Sequence, residues 1–270
     1  MLAQNQIPVK KESKTAVYAR FNIVYKNGKI FAPEFGFIPE LLIDGNEKIG
    51  KGVFHFSTLP TNQDFTVVIN GVEYVVKGTC PCHCVGCYAT KGNYNFKGVR
   101  TSLAIRTILA RYHIDFVKRA IMAQLIADGV KMCRIHASGD FFSADYVELW
   151  KVIIRNNPGV LFWTYTKNTT AENAFNEFAN ANIVKSIIPE CGLNFGHCDY
   201  ILNTYRKLMT AGESVYVCRC GIDKNQHCVN CKGCATHKYV LFIEHSTEYK
   251  AELDPAFPEL KAVIESQPKQ

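Results

Sequence analysis

Residues 131–166, KMCRIHASGDFFSADYVELWKVIIRNNPGVLFWTYT, carry the alternation that decides the fold. Lys131 to Ala137 reads as a short strand. Ser143 is placed as a helix N-cap, because its hydroxyl can accept from a backbone N–H of the first turn. Behind it Tyr146, Val147, Trp150 and Ile154 fall on one side of a helix that Asn157-Pro158-Gly159 stops. Val160 to Thr166 is almost continuously apolar, as expected of a strand covered on both faces. Strand, helix and strand in this order predict a βαβ unit in a parallel sheet.

The rhythm extends both ways. Upstream, Asp115 is a candidate N-cap for a helix bearing Phe116, Val117, Ile121, Leu125 and Ile126, stopped at Gly129. Downstream, Ala171 to Ala181 reads as a helix and Ile183 to Ile188 as a strand. Asp199 to Thr210 reads as a helix stopped at Gly212, and Ser214 to Val217 and Lys238 to Glu244 read as strands. Five or six such units predict an α/β protein with a partial (β/α)5-6 barrel of parallel strands rather than a closed eightfold one. Residues 16 to 78 read instead as short strands and turns. Asn27-Gly28 and Asn70-Gly71 mark two hairpins, since Asn-Gly supplies the positive φ of a tight turn. The expected organisation is a β-rich lead over 1–71, an α/β core over 72–217, and a cysteine-rich segment with a final strand and tail over 218–270.

Composition narrows the function classes. At 270 residues and 47% apolar content the chain can bury a sizeable core. The net charge of +7 is evenly spread; Val9-Lys10-Lys11-Glu12-Ser13-Lys14 reads as a solvated arm, and no basic motif dedicated to nucleic acid is visible. No apolar run approaches a membrane span, and the first fifteen residues lack the apolar stretch of a secretory signal. A cytoplasmic location is therefore expected. There, twelve cysteines point to metal binding before disulfides.

Four of those cysteines lie in Cys80-Pro81-Cys82-His83-Cys84-Val85-Gly86-Cys87. Cys80, Cys84 and Cys87 form a C-x3-C-x2-C spacing, followed by Tyr88. Three thiolates can hold three irons of a cubane cluster and leave the fourth iron open, whereas a purely structural cluster takes four protein ligands. A closed cluster that adds Cys82, or a zinc ion, would use the same donors. The loop follows the strand at Tyr74 to Lys77, the place where parallel sheets put their ligand sites.

This spacing after the first strand of a βα series resembles the signature of radical S-adenosylmethionine (SAM) enzymes. The runs CPCHCVGCYATKGNYNFKGV, RIHASGDFFSADYVELW and FWTYTK together resemble the phage gene product 88 family over roughly residues 75 to 235. The first resemblance implies a 4Fe–4S cluster on Cys80, Cys84 and Cys87 that binds SAM and takes an electron from an external donor. It also implies that Ser138-Gly139-Asp140 stands where such enzymes grip the SAM amino group. The pattern departs at Gly86, where an aromatic residue is usual; Tyr88, just after Cys87, is the aromatic candidate for a cofactor contact. The second resemblance implies a protein encoded by a phage or prophage in a bacterial cell.

Three further polar residues sit at strand ends. Arg134 and His136 alternate along one strand and are expected to share a face, where they would contact SAM or substrate. Lys167 closes the FWTYT strand at the same rim. A second cysteine group, Cys218, Cys220, Cys228, Cys231 and Cys234, contains a C-x2-C-x2-C run like that of ferredoxin ligands, with Cys218 or Cys220 as a fourth donor. A second 4Fe–4S cluster or a zinc site is expected there. The chain thus reads as a radical SAM-like iron–sulfur enzyme. The alternative is a non-enzymatic, metal-stabilised binding protein associated with nucleic acid.

Overall fold

The computed structural model describes residues 12–45, 49–82, 87–185, 195–219, 223, 227–243 and 251–267. Its first element is a helix where the sequence suggests strands. In α1 (Lys14–Arg20) the Ser13 hydroxyl accepts from Ala16 N at 3.3 Å, and Val17 and Tyr18 are buried. A cap and two buried residues on one side outweigh the β-branched and aromatic composition of this stretch. The strands β1 (Tyr25–Lys26), β2 (Lys29–Ala32) and β3 (Gly36–Pro39) then form an antiparallel sheet. Its first turn is the expected Asn27-Gly28, with φ of 51° and 74°.

The next strands, β4 (Ile43–Asp44) and β5 (Val53–His55), begin the principal sheet. The chain leaves it for a hairpin of β6 (Asp64–Ile69) and β7 (Val72–Lys77), turning at Asn70-Gly71. Two helices follow, α2 (Lys97–Tyr112) and α3 (Ile114–Ala127). The first of these was not foreseen, and in α3 Asp115 lies in the first turn while His113 occupies the cap position. After β8 (Met132–Arg134), α4 (Ala144–Asn156) starts at Ser143, whose hydroxyl accepts from Tyr146 N at 3.2 Å. Then come β9 (Leu161–Thr166) and β10 (Ala181–Lys185).

The helix expected over Ala171 to Ala181 is a series of turns. Asparagines account for this. Asn168 Oδ1 accepts from Thr170 N, a local bond that competes with the helix, and Asn180 Nδ2 donates to the distant Asn157 and Val160 carbonyls, which ties the end of the segment to the neighbouring elements.

The remaining elements are β11 (Phe195–Gly196), α5 (Cys198–Thr210), β12 (Val215–Val217), α6 (Gly233–Thr236), β13 (Tyr239–Ile243) and α7 (Phe257–Ser266). The principal sheet has the order β10-β9-β8-β5-β4, parallel throughout except for β4. A second sheet, β11-β13-β12, is also parallel. Lys185 N donates to Lys238 O at 2.8 Å and links the two. The described strands form no closed barrel.

The first parallel strand is therefore β5. The strand at Tyr74 to Lys77 pairs only within its antiparallel hairpin, an excursion inserted between β5 and the cysteine loop. Phe56, Cys133, Ile135, Phe162 and Ile183 bury the outer face of the principal sheet in one core with α3 and α4. That core takes residues from Val17 to Ile183, so the lead expected over 1–71 shares it with the α/β segment. On the inner face, Val53, Met132 and Trp163 pack with Ile49, Ala235, Cys228 and Cys234. A separate core joins α5, β12, β13 and α7. Among the described residues no helix is long and apolar enough to cross a membrane.

Candidate functional site

Although the hairpin separates β5 from Cys80 in sequence, hydrogen bonds bring the chain back to the carboxyl end of β5. Gly78 N donates to Gln63 O, Thr79 N to Leu59 O and Cys80 N to Thr61 O, at 2.8, 3.0 and 2.9 Å. The loop after β8 is tied to the same spot. Thr58 N donates to Ser138 O at 3.1 Å, and Ser138 Oγ donates to Thr58 O at 2.8 Å. The Thr79 hydroxyl donates to Leu59 O and accepts from Asp140 N. Its proton being used, it also accepts from the Thr58 hydroxyl at 2.9 Å.

Gly139 lies inside this junction at φ +85°; a Cβ there would be 1.9 Å from Thr58 Oγ1 and 2.6 Å from Thr79 Oγ1. Only glycine fits. Thus the approach to Cys80, the end of β5 and the Ser138-Gly139-Asp140 loop meet in one knot.

Asp140 is the lock of that knot. Its Oδ1 accepts from Phe141 N and the Thr166 hydroxyl at 2.7 and 2.6 Å, and its Oδ2 accepts from Lys167 N at 2.8 Å. Burial pushes its pKa up to about 6, against the pull of these donors. The carboxylate holds the loop after β8 to the end of β9, and both of its oxygens are engaged in doing so. Lys167 sits half-buried at the end of β9 and contributes its backbone N–H to this lock.

Arg134 and His136 part company. A bend at Ile135 ends the two-residue alternation, so the two side chains go to different layers. His136 is buried on the helix side, with Nδ1 3.3 Å from Thr164 Oγ1, Nε2 3.0 Å from Tyr146 Oη and its ring edge-on to Phe141. Burial, reinforced by the Arg134 charge, pushes its pKa down to about 3. Its two ring nitrogens thus face hydroxyls within the core, away from the rim that carries Arg134.

Arg134 goes to the inner face. Its Nε donates to His136 O at 2.8 Å, its Nη2 donates to the Tyr88 hydroxyl at 3.3 Å, and its guanidinium lies 4.9 Å from the centre of the Tyr165 ring. Burial works against its charge, but Tyr88, Tyr165, Cys228 and Cys234 outweigh that and hold its pKa above the usual arginine range. The Tyr88 hydroxyl in turn donates to Ala137 O, and the ring stands edge-on to Tyr94. Tyr88 is 57% exposed, so its ring is accessible at the rim while its hydroxyl is anchored.

Cys80 and Cys87 are half-buried thiols at the two ends of the loop, and Cys84 lies outside the described residues. Cys82 is disulfide-bonded, which departs from the expectation that the cysteines of this loop serve a metal before a disulfide. In the second group, Cys218 is buried just beyond β12, and Cys228, Cys231 and Cys234 are half-buried; Cys220 lies outside the described residues. Tyr165 Oη donates to Cys234 Sγ at 2.6 Å, and Tyr216 Oη is 3.2 Å from Cys231 Sγ. Among the described residues, no three His, Cys, Asp or Glu side chains stand as a ready-made metal shell.

Several contributors escaped the sequence reading. Thr58 and Thr79 build the knot, and Tyr165 and Tyr216 meet the thiols. Thr79 had a visible signal as the residue leading into Cys80. Tyr165 had one in its alternation with Trp163 along β9.

A family described as Gene product 88 matches residues 40–191, more than half of the chain. The chain belongs to this family. The match takes in β5, the whole 80–87 loop, the β8–α4–β9 unit and β10, which is the part that forms the knot and the inner face. The Gene 88 protein of Mycobacterium phage L5 is 43% identical over 60 residues, covering 19% of this chain and 25% of that relative. The Gene 88 protein of Mycobacterium phage D29 is 42% identical over 60 residues, with the same coverage. The chain thus spans about a quarter of the length of these relatives. No solved structure matches it.

Proposed function

We propose that this gene product 88 family member is an iron–sulfur protein that binds and reductively cleaves SAM, with Cys80, Cys84 and Cys87 as cluster ligands. One observation carries the reading. The cysteine loop starts at the carboxyl end of β5, knotted to the Gly139 loop at the carboxyl end of β8. Ligand sites of parallel α/β sheets occupy that edge. The donor chemistry fits as well, since Cys80 and Cys87 are thiols that reach the rim half-buried, on either side of Cys84.

A cluster held by three cysteines would supply an open iron for the amine and carboxylate of SAM and an electron for its cleavage. The protein's own part is to place and shield. Asp140 fixes the Ser138-Gly139 loop by bonding across to Thr166 and Lys167, rather than by receiving the ligand itself. The exposed Tyr88 ring offers an apolar face at the rim, and Arg134 beneath it supplies a cation toward negative charge. Lys167 adds a second positive charge at the end of β9. The architecture would be an incomplete barrel running from β5 through β8, β9 and β10 and across the Lys185–Lys238 link to β13 and β12, which that hydrogen bond supports. The protein would work with a one-electron donor in the cytoplasm of a bacterial cell carrying the phage or prophage.

The test is direct. Anaerobically reconstituted protein, reduced and supplied with SAM, is expected to release 5′-deoxyadenosine and methionine. The Cys84→Ala variant should lose this turnover and Cys82→Ala should keep it. A protein that holds its cluster yet neither binds nor cleaves SAM would overturn the proposal in favour of a metal-stabilised binding protein.

A further inference from the structure

Cys218 and the run of Cys228, Cys231 and Cys234 come from two stretches, and the fold gathers them on the inner face of the principal sheet. Cys218, at the end of β12, belongs to a buried cluster with Tyr216, Val184 and Val240, against which Tyr165, Cys231 and Cys234 pack. Cys228 and Cys234 pack with Trp163 and Tyr165 in the adjoining cluster. The two clusters share Tyr165 and Cys234. Beside the C-x2-C-x2-C run, Cys218 is a candidate fourth donor that lies in this apolar pocket, and Cys220 lies outside the described residues.

The groups that face these sulfurs suit anions better than thiols. A neutral thiol is a weak hydrogen-bond acceptor, whereas a thiolate is the species that binds metals and accepts well. Yet the Tyr165 hydroxyl donates to Cys234 Sγ at 2.6 Å, and the Tyr216 hydroxyl meets Cys231 Sγ at 3.2 Å. The Arg134 guanidinium, stacked on Tyr165, adds a full positive charge close to Cys228 and Cys234. Phenols and a guanidinium thus surround four half-buried or buried cysteines. Burial nonetheless pushes the Cys234 thiol up to about 12 against the pull of Tyr165 and Arg134, so a bound cation would be needed to hold these sulfurs as thiolates.

The backbone that carries the cysteines is also held in place. Asn182 Nδ2 donates to Cys234 O and His237 O at 2.9 and 2.8 Å, fastening α6 to β10. Gly233 lies under the Tyr216 ring, where a Cβ would come within 2.4 Å of it.

We infer that Cys218, Cys228, Cys231 and Cys234 are the thiolate ligands of a second metal centre, zinc or iron–sulfur, which seats the C-terminal unit on the inner face of the principal sheet. Thiolate donors serve both metals. No three of these side chains stand as a ready-made shell, so the four sulfurs would have to close around the ion to hold it. The inference is independent of the reading given to the 80–87 loop.

The test uses the full chain with Cys80, Cys84 and Cys87 all replaced by serine, so that only the second centre can bind. Purified anaerobically, this protein is expected to keep one zinc, or iron with matching sulfide, and either result supports the inference. Adding Cys218→Ser or Cys231→Ser should lower metal content at least tenfold. Tyr165→Phe should keep the metal but lose it to a chelator about ten times faster.

Because a cysteine variant can fail for reasons of folding, the wild-type protein supplies a second readout. Alkylation followed by mass spectrometry should show Cys218, Cys228, Cys231 and Cys234 protected together and exposed together by chelator. A metal-free triple variant, or a Cys218→Ser protein with undiminished metal, would overturn the assignment. Either result would leave the SAM reading of the first loop standing.

Discussion

Buried between Thr164, Tyr146 and the Phe141 ring, the His136 imidazole has both nitrogens within reach of a hydroxyl. Burial first, and Arg134 second, push its pKa down to about 3, while in the unfolded chain it returns to about 6.5. As pH falls through this window the unfolded chain takes up a proton that the folded one refuses. The stability that His136 confers is complete above pH about 6.5 and is lost progressively toward pH about 3, by up to about 1.4 kcal/mol per pH unit. His55, pushed down to about 4 by burial and nearby arginines, adds to the same loss. Asp140, pushed up to about 6, acts in the opposite sense between about 4 and 6. In urea unfolding from pH 7.5 to 5, His136→Asn is expected to flatten the decline by about one proton relative to wild type. Parallel curves would show that the imidazole ionises in place.

At the scale of elements, three segments distant in sequence meet around Gly139: the end of β5, the approach to Cys80 and the loop after β8. Gly139→Ala puts a methyl group onto Thr58 Oγ1 at a positive φ, so the junction must open. A loss of about 2–4 kcal/mol on chemical denaturation is expected, because a buried clash and backbone strain add. Cluster or metal content should fall with it if the junction positions the Cys80 end of the loop. A Gly139→Ala protein as stable as wild type would show that the knot is slack.

The two Asn-Gly hairpins, the Ser143 cap and the β8–α4–β9 unit were legible because each depends on local chemistry. The turns over 171–181 were not, since Asn180 makes its bonds to carbonyls of residues 157 and 160, supplied by the end of α4 and the start of β9. Nor was α1, whose buried Val17 and Tyr18 draw their value from tertiary packing.

At the scale of the whole molecule, one parallel sheet carries different business on its two faces. The outer face is ordinary core under α3 and α4, and the inner face brings phenols, the Arg134 guanidinium and cysteines together. The cysteine groups themselves were plain in the sequence. Their relation was not, because it depends on register: Arg134 pairs with Trp163 across β8 and β9, which brings it beside Tyr165. From there the Tyr165 hydroxyl donates to Cys234, and the Arg134 guanidinium donates to the hydroxyl of Tyr88, next to Cys87. Arg134 therefore stands between the two cysteine groups, and the bend at Ile135 is what sends it there without His136.

The central claim is that the 80–87 loop holds a cluster with an open iron for SAM. Electron paramagnetic resonance of the anaerobically reconstituted, reduced protein tests it most directly, recorded with and without SAM and with the second cysteine group intact. The account predicts a reduced 4Fe–4S signal whose g-values shift when SAM is added, with the shift absent in Cys84→Ala. A cluster signal that SAM leaves unchanged, or a protein that carries zinc alone, would contradict it.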